Sequence, residues 1–297
     1  MMSFSLQFVL VLIGTFMMAL ILTPLVRLLA FKMDAVDYPN ARRINTKPMP
    51  SAGGLSIVIA FSTATLIFIP MLTSSTTPIK SYLSYTMPVV GAGWIIALTG
   101  LIDDIKELSA KKKMIGILLA ASLVWFFTDF RLNDFKIPFG GPLLHFEPWL
   151  SYLLTVIWIV AITNAVNLID GLDGLVSGVS IISLVTMGIV SYFFLPVPNL
   201  FLTMTIFVLV ASIAGFFPFN YHPAILYLGD TGALFIGFMI SVLSLQGLKN
   251  ATAVAVVTPM IILGVPITDT FLAIIRRTLS GQKFYKPDRN HLHHRLL

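Results

Sequence analysis

The chain has 297 residues, 57% of them hydrophobic and only 11% charged, against about 25% charged in a typical soluble domain. That balance excludes a water-soluble globule and identifies a membrane protein. The net charge is +6, from 19 Lys+Arg and 13 Asp+Glu; loop topology accounts for it, so no nucleic-acid partner is expected.

Apolar runs long enough to cross a hydrocarbon layer about 30 Å thick lie near residues 4–30, 53–72, 87–102, 114–130, 149–163, 174–195, 200–217, 231–248 and 251–274. They predict an all-α polytopic membrane protein of about nine transmembrane helices, a single integral domain over 1–297. The runs are continuous rather than alternating, which argues against a β-barrel. The first run is too long, and lacks the small-residue cleavage site, for a removed signal peptide. Residues 131–148 form the longest of the weakly basic connections, with a turn at Phe139-Gly140-Gly141-Pro142 and room for short strands. Pro196 and Pro198 mark a tight turn. Pro259 and Pro266 fall inside the ninth run, which is therefore expected to be kinked or broken. The absence of cysteine excludes disulfides and says little about compartment.

Fifteen of the 19 Lys and Arg residues fall in the connections 27–52, 103–113 and 275–297, and only Lys80, Arg131, Lys136 and Lys249 in the alternate ones. The positive-inside rule then puts the N-terminus outside and the basic connections in the cytoplasm. The same side receives every acidic cluster at a span border. Ionisable groups there cost a few kcal/mol unless partnered, so they mark a functional site.

The richest cluster is Asn164-Ala-Val-Asn167-Leu-Ile-Asp170-Gly171-Leu-Asp173-Gly174-Leu175. Its four polar residues recur every three positions. On a regular α-helix each such step drifts by about 60°, so they converge only if the helix tightens or ends, which Gly171 and Gly174 permit. Capping alone needs one Asp or Asn, not four such groups. Asp103 and Asp104 close an earlier span. Being about 100° apart on a helix, they are expected to divide their tasks, one towards a metal or its waters, the other towards a proton or a cationic partner. The lysines 111–113 that follow suit an anionic head group or simple orientation. Gly229-Asp230-Thr231-Gly232 is a small-residue turn with one carboxylate, preceded by Phe219-Asn220, His222-Pro223 and Tyr227. An aromatic and an amide near such a turn suit a flat base, with interfacial anchoring as the plainer alternative. Near the end, His291, His293, His294 and Arg295 follow Lys286 and Arg289. Imidazoles among cations suit a diphosphate; without cysteine, and with His-x-His-His spacing, a tetrahedral zinc site fits poorly. Carboxylates beside phosphate donors favour Mg²⁺. Asp269 lies seven residues before Arg276, which suggests an internal ion pair.

In order along the chain, Pro50-Ser-Ala-Gly53-Gly54, Asp103-Asp104, the segment Asn164 to Leu175, Phe219-Asn220 through Gly232, and the His cluster resemble the polyprenyl-phosphate N-acetylhexosamine-1-phosphate transferases. The resemblance implies that a membrane polyprenyl phosphate attacks the β-phosphorus of a UDP-amino sugar, with Mg²⁺ (Mn²⁺ as an alternative) as cofactor. It further implies metal ligation by Asn167 and Asp230, and Asp103 and Asp104 orienting or deprotonating the lipid phosphate. Asp170 and Asp173 would be catalytic-site residues belonging to the nucleotide pocket, with Asn220 and Tyr227 near uracil and Asn164 a further substrate contact. His291, His293 and His294 would hold the diphosphate, and Lys47 is a further phosphate contact. A homodimer is a candidate assembly. Three departures from the peptidoglycan branch, which makes phospho-MurNAc-pentapeptide lipid, move the expectation to the UDP-GlcNAc branch: Glu107 replaces a lysine, Tyr227 replaces a phenylalanine, and the tail reads His-Leu-His-His-Arg. That branch starts teichoic acid linkage units, O-antigen and related glycans. Relatives carry one or two further spans, so the chain is expected to lack one or two C-terminal ones. A transporter or flippase is the alternative of another class; such proteins place intramembrane acids near the midplane in paired repeats, whereas here the acids gather at one face and no repeat is visible.

Overall fold

A computed structural model describes residues 4–39, 47–73, 79–136, 142–194 and 200–250. Helix α1 spans Phe4–Lys32. Helix α2, Gly54–Thr63, runs through a π-helical turn at Ala64–Phe68 into α3, Ile69–Thr73. There follow α4 (Ile79–Lys106), α5 (Ala110–Phe127), α6 (Pro148–Leu168), α7 (Leu175–Phe193), α8 (Leu200–Asn220) and α9 (Gly229–Asn250). Six helical stretches are long and apolar enough to cross a membrane: 5–32, 54–71, 80–106, 148–168, 175–193 and 200–220. The first eight expected spans are each helical. The ninth, at 251–274, with Pro259, Pro266 and the Asp269–Arg276 pair, lies outside the described residues, as does most of the turn at 139–142.

Most helices overrun the apolar runs that announce them. Helix α4 begins at Ile79 rather than 87 and continues to Lys106, so Asp103 and Asp104 sit in its last turns. Helix α5 opens at Ala110 and takes all three lysines into its first turn. Helix α6 extends to Leu168 and so carries both Asn164 and Asn167. Hydropathy marks the lipid slab, whereas a helix ends where its backbone groups find other partners. Pro148 opens α6 at a position where the missing N–H is harmless. Helix α6 stops before the Asp170–Gly174 turn, the ending that the three-residue spacing requires, and α7 restarts from Gly174 at φ +72°.

Helix α9 is the axis of the bundle and packs chiefly against α4 and α6. All residues from Thr231 to Leu245 are buried; a helix that is apolar on all sides belongs in a core. Its serine hydroxyls donate locally, Ser241 to Phe238 O and Ser244 to Ser241 O, both at 2.7 Å, and Trp158 Nε1 of α6 donates to the Ser241 carbonyl and the Ser244 hydroxyl, both at 3.1 Å. Helix α1 lies at the periphery, with Ile13, Ile21, Leu25 and Leu28 more than half exposed as a lipid-facing stripe. Two short antiparallel ribbons complete the fold. Strands β1 (Val36–Asp37) and β2 (Met49–Pro50) pair in the first connection. Strands β3 (Asp134–Lys136) and β4 (Leu143–His145) pair in the 131–148 connection, the strands anticipated there.

Candidate active site

Four connections meet at one end of the bundle. The Gly53 and Gly54 amides donate to the Tyr227 and Leu228 carbonyls at 3.0 and 2.9 Å, and the Tyr227 amide donates to Pro50 O at 2.9 Å. The loop before α2 is thereby zipped to the loop before α9. Glycine makes this approach possible: a Cβ on Gly54 would lie 2.1 Å from the Gly232 Cα, and one on Gly100 would lie 2.4 Å from the Asp230 carbonyl oxygen. Gly229, at φ +72°, starts α9 where a side chain would strike Ala52 and Ser51.

Helix α9 is preceded by Leu228, which has no capping atom. Asp104 supplies the cap from α4. Its Oδ1 accepts the Asp230 amide at 2.8 Å and the Ser51 hydroxyl at 3.1 Å; its Oδ2 accepts the Thr231 amide at 3.0 Å and the Thr231 hydroxyl at 2.6 Å. Both oxygens are saturated, and the negative charge faces the positive end of the helix dipole. The adjacent Asp103 points elsewhere. It accepts the Leu108 amide, which fixes the α4–α5 turn, and its Oδ2 lies 2.5 Å from the Lys113 ammonium. The two neighbours thus have different partners: Asp103 faces the Lys113 cation, whereas Asp104, expected either at a metal or at a proton or cation, is taken up by Ser51 and the first turn of α9.

Lys113 reaches Asp230 Oδ2 at 2.8 Å as well, and the Asn167 amide donates to Asp230 Oδ1. Residues from α4, α5, α6 and α9 therefore share one polar knot. Asp170, half-buried in the turn after α6, adds a further carboxyl. Its pKa is pushed well above the ordinary carboxylate range by burial, and then by the charges of Asp230, Asp104, Asp173 and Asp37. Lys113 does not by itself balance these acids.

The remaining expected residues fall into three groups. Asn220 is buried: its Oδ1 accepts from the Ser177 hydroxyl at 3.0 Å and its amide donates to Leu226 O at 3.3 Å, which clips the end of α8 to α7. Asn164 bonds back to Val160 O at 2.7 Å, one helical turn deeper than Asn167. Asp173 accepts both His222 Nδ1 at 2.9 Å and the Ala224 amide at 3.0 Å. Tyr227 is partly exposed beside the loop junction, and Lys47 is exposed just before β2. His291, His293 and His294 lie outside the described residues.

Sequence reasoning missed Lys113, Ser51 and Thr231 as members of the site. For Lys113 there was a usable signal: three lysines in a helix's first turn oppose its dipole, so a nearby acid must attract at least one of them.

The donor set suits Mg²⁺. It offers hard oxygens from carboxylates and a carboxamide and no sulfur. Among the described residues no group of three His, Cys, Asp or Glu side chains is placed to hold a metal ion by itself, so an ion bound here would need other oxygens to complete its shell.

Fold and site together define a polytopic membrane protein with an acidic cluster, partly offset by Lys113, at one end of its bundle. The chain belongs to glycosyl transferase family 4, whose family model matches residues 86–248, the stretch that holds every site carboxylate from Asp103 to Asp230. It is 42% identical to a probable undecaprenyl-phosphate N-acetylglucosaminyl 1-phosphate transferase of Bacillus subtilis, over 94% of this chain and 74% of that protein. It is 34% identical to a decaprenyl-phosphate N-acetylglucosaminephosphotransferase of Mycolicibacterium smegmatis, over 92% and 71%. A Salmonella typhi undecaprenyl-phosphate alpha-N-acetylglucosaminyl 1-phosphate transferase matches at 28% identity over 95% and 74%.

Proposed function

We infer that this chain transfers GlcNAc-1-phosphate from UDP-GlcNAc to a membrane polyprenyl phosphate, giving polyprenyl-pyrophosphoryl-GlcNAc and UMP. The names borne by its relatives supply the reaction. The observation that carries it to this chain is the knot of Asp103, Lys113, Asn167 and Asp230, in which four helices bring acids, an amide and a cation to one point at an end of the bundle.

In this reaction an oxygen of the lipid phosphate forms a bond to the β-phosphorus, and the bond from that phosphorus to the bridging oxygen breaks, so UMP departs with the electron pair. Asp230 and Asn167 would hold Mg²⁺; a carboxamide can accept as well as donate. The bound ion would supply charge neutralisation at the diphosphate and the leaving group. Lys113, held by two carboxylates, is placed to meet phosphate oxygens and to limit repulsion between the acids and an anionic substrate. Asp104 holds the first turn of α9 and so aims Asp230. Asp170 and Asp173 face the nucleotide, and the His cluster would serve the diphosphate. The basic connections favour a cytoplasmic site with the N-terminus outside. The product then belongs to an early membrane step of a cell-envelope glycan such as a teichoic acid linkage unit or O-antigen.

A donor assay tests the reading. Purified chain with undecaprenyl phosphate and Mg²⁺ should release UMP from UDP-GlcNAc and not from UDP-MurNAc-pentapeptide, and EDTA should stop it. Preference for the pentapeptide donor would move the chain to the peptidoglycan branch. Absence of UMP with either donor would leave the transferase reading without support.

A further inference from the structure

The loop 221–228 joins α8 to α9 and is pinned at several points. The Ile225 and Leu226 amides both donate to Phe219 O, at 3.0 and 3.3 Å, and the Tyr227 amide donates to Pro50 O. Out of this fixed loop projects His222, whose side chain is 80% exposed. Its one polar contact among the described residues is with Asp173, in the turn between α6 and α7. A carboxylate only accepts, so Nδ1 carries the proton and donates to Asp173 Oδ2. The Ala224 amide donates to that same oxygen. Two donors on one oxygen fix the plane of the carboxylate and leave Oδ1 as an acceptor with no protein donor among the described residues. An exposed histidine placed only for solubility has no need to point back at an acid 49 residues away.

We propose that His222 is a positioning residue for nucleotide recognition: it clamps Asp173 Oδ2 so that Oδ1 is aimed at an N–H donor on the edge of a pyrimidine base. The proposal rests on the reading that Asp173 lines the nucleotide pocket. It adds a residue that neither spacing nor composition singled out. Losing His222 leaves only the Ala224 amide on Asp173, and the carboxylate becomes free to rotate. The free energy of fixing it is then charged to ligand binding.

The test uses the full chain in detergent and reads UMP binding directly, alongside turnover. His222→Ala should weaken UMP binding and raise the KM for UDP-GlcNAc about tenfold, with kcat within about threefold and the KM for polyprenyl phosphate unchanged, the pattern of lost uniform binding. His222→Asn puts a carboxamide N–H close to where Nδ1 lies and should restore UMP affinity to within about threefold of wild type. Asp173→Asn should weaken UMP binding at least as much, and the double variant should be no worse than Asp173→Asn alone, because both changes remove one contact. Unchanged UMP affinity in His222→Ala would overturn the proposal, as would an equal rise in the lipid KM, additive losses in the double variant, or failure of wild type to bind UMP. Binding that follows this pattern without any turnover would instead sustain the role of His222 and count against the transferase reading.

Discussion

The two ends of the bundle treat ionisable residues in opposite ways. At the site end, partners come from far along the chain: Lys113 meets Asp230 across 117 positions, and Asp104 meets Thr231 across 127. These groups are buried or half-buried, and each contact ties one helix to another. At the other end, Arg131 pairs with Asp129 two positions away and His145 with Asp134 across a hairpin, with most of these side chains exposed. The same residue types therefore carry different weight. A buried acid without its partner is costly, whereas an exposed pair is worth roughly 0–1 kcal/mol. Function should be sensitive to the first set and nearly blind to the second.

The largest effect is expected at Asp230. Asp230→Asn removes the carboxylate on which Lys113 and Asn167 both converge, and should lower kcat by about 10³-fold or more. The asparagine is isosteric, so thermal unfolding in detergent should move by only a few degrees. Lys113→Ala should follow at about 10²-fold, because Asp103 and Asp230 then face each other uncompensated. Near-normal turnover in either variant would separate the acidic knot from catalysis.

Asp104→Asn sharpens the contrast within the site end itself. All four donors on Asp104 belong to Ser51 and the first turn of α9. A carboxamide offers one acceptor atom and turns its NH₂ towards donors. That mismatch should destabilise the protein by on the order of 2–3 kcal/mol, seen as a lower melting temperature, with activity falling because Asp230 loses its footing. Asp103→Asn should show the reverse balance, with little change in melting and a larger loss of kcat. Equal melting temperatures for the two variants would refute the division.

Much of the fold was legible because a bilayer leaves few options: long apolar runs must be helices, and charged connections must be loops. The site was partly legible for the same reason, since Asp103, Asp104, Asp170 and Asp230 stand out at the borders of apolar runs. What was not legible is which neighbour each acid chooses. Adjacent Asp103 and Asp104 look alike in sequence, yet a rotation of about 100° sends one to Lys113 and the other to the start of α9. Asn220 looked like a base-binding amide, and nothing in sequence shows that it also links Ser177 of α7 to Leu226 O. Lys113 looked like part of a run suited to an anionic head group or to simple orientation. Assigning these partners requires knowing that α9 sits at the centre, and hydropathy does not encode the order in which helices pack.

The smallest effect is expected at the far hairpin, and its smallness is informative. Asp134 and His145 are cross-strand partners, their side chains 39% and 73% exposed and 2.5 Å apart. A contact this short invites the view that it holds β3 to β4. Solvent screening argues otherwise, since an exposed pair contributes at most about 1 kcal/mol, and the ribbon also has its backbone ladder. Asp134→Asn should therefore shift melting by no more than about 2 °C and leave turnover within about twofold of wild type. A loss of activity comparable to that of Lys113→Ala would mean that the two ends are coupled through α5 and α6, which flank the hairpin, and the contrast drawn between them would fail.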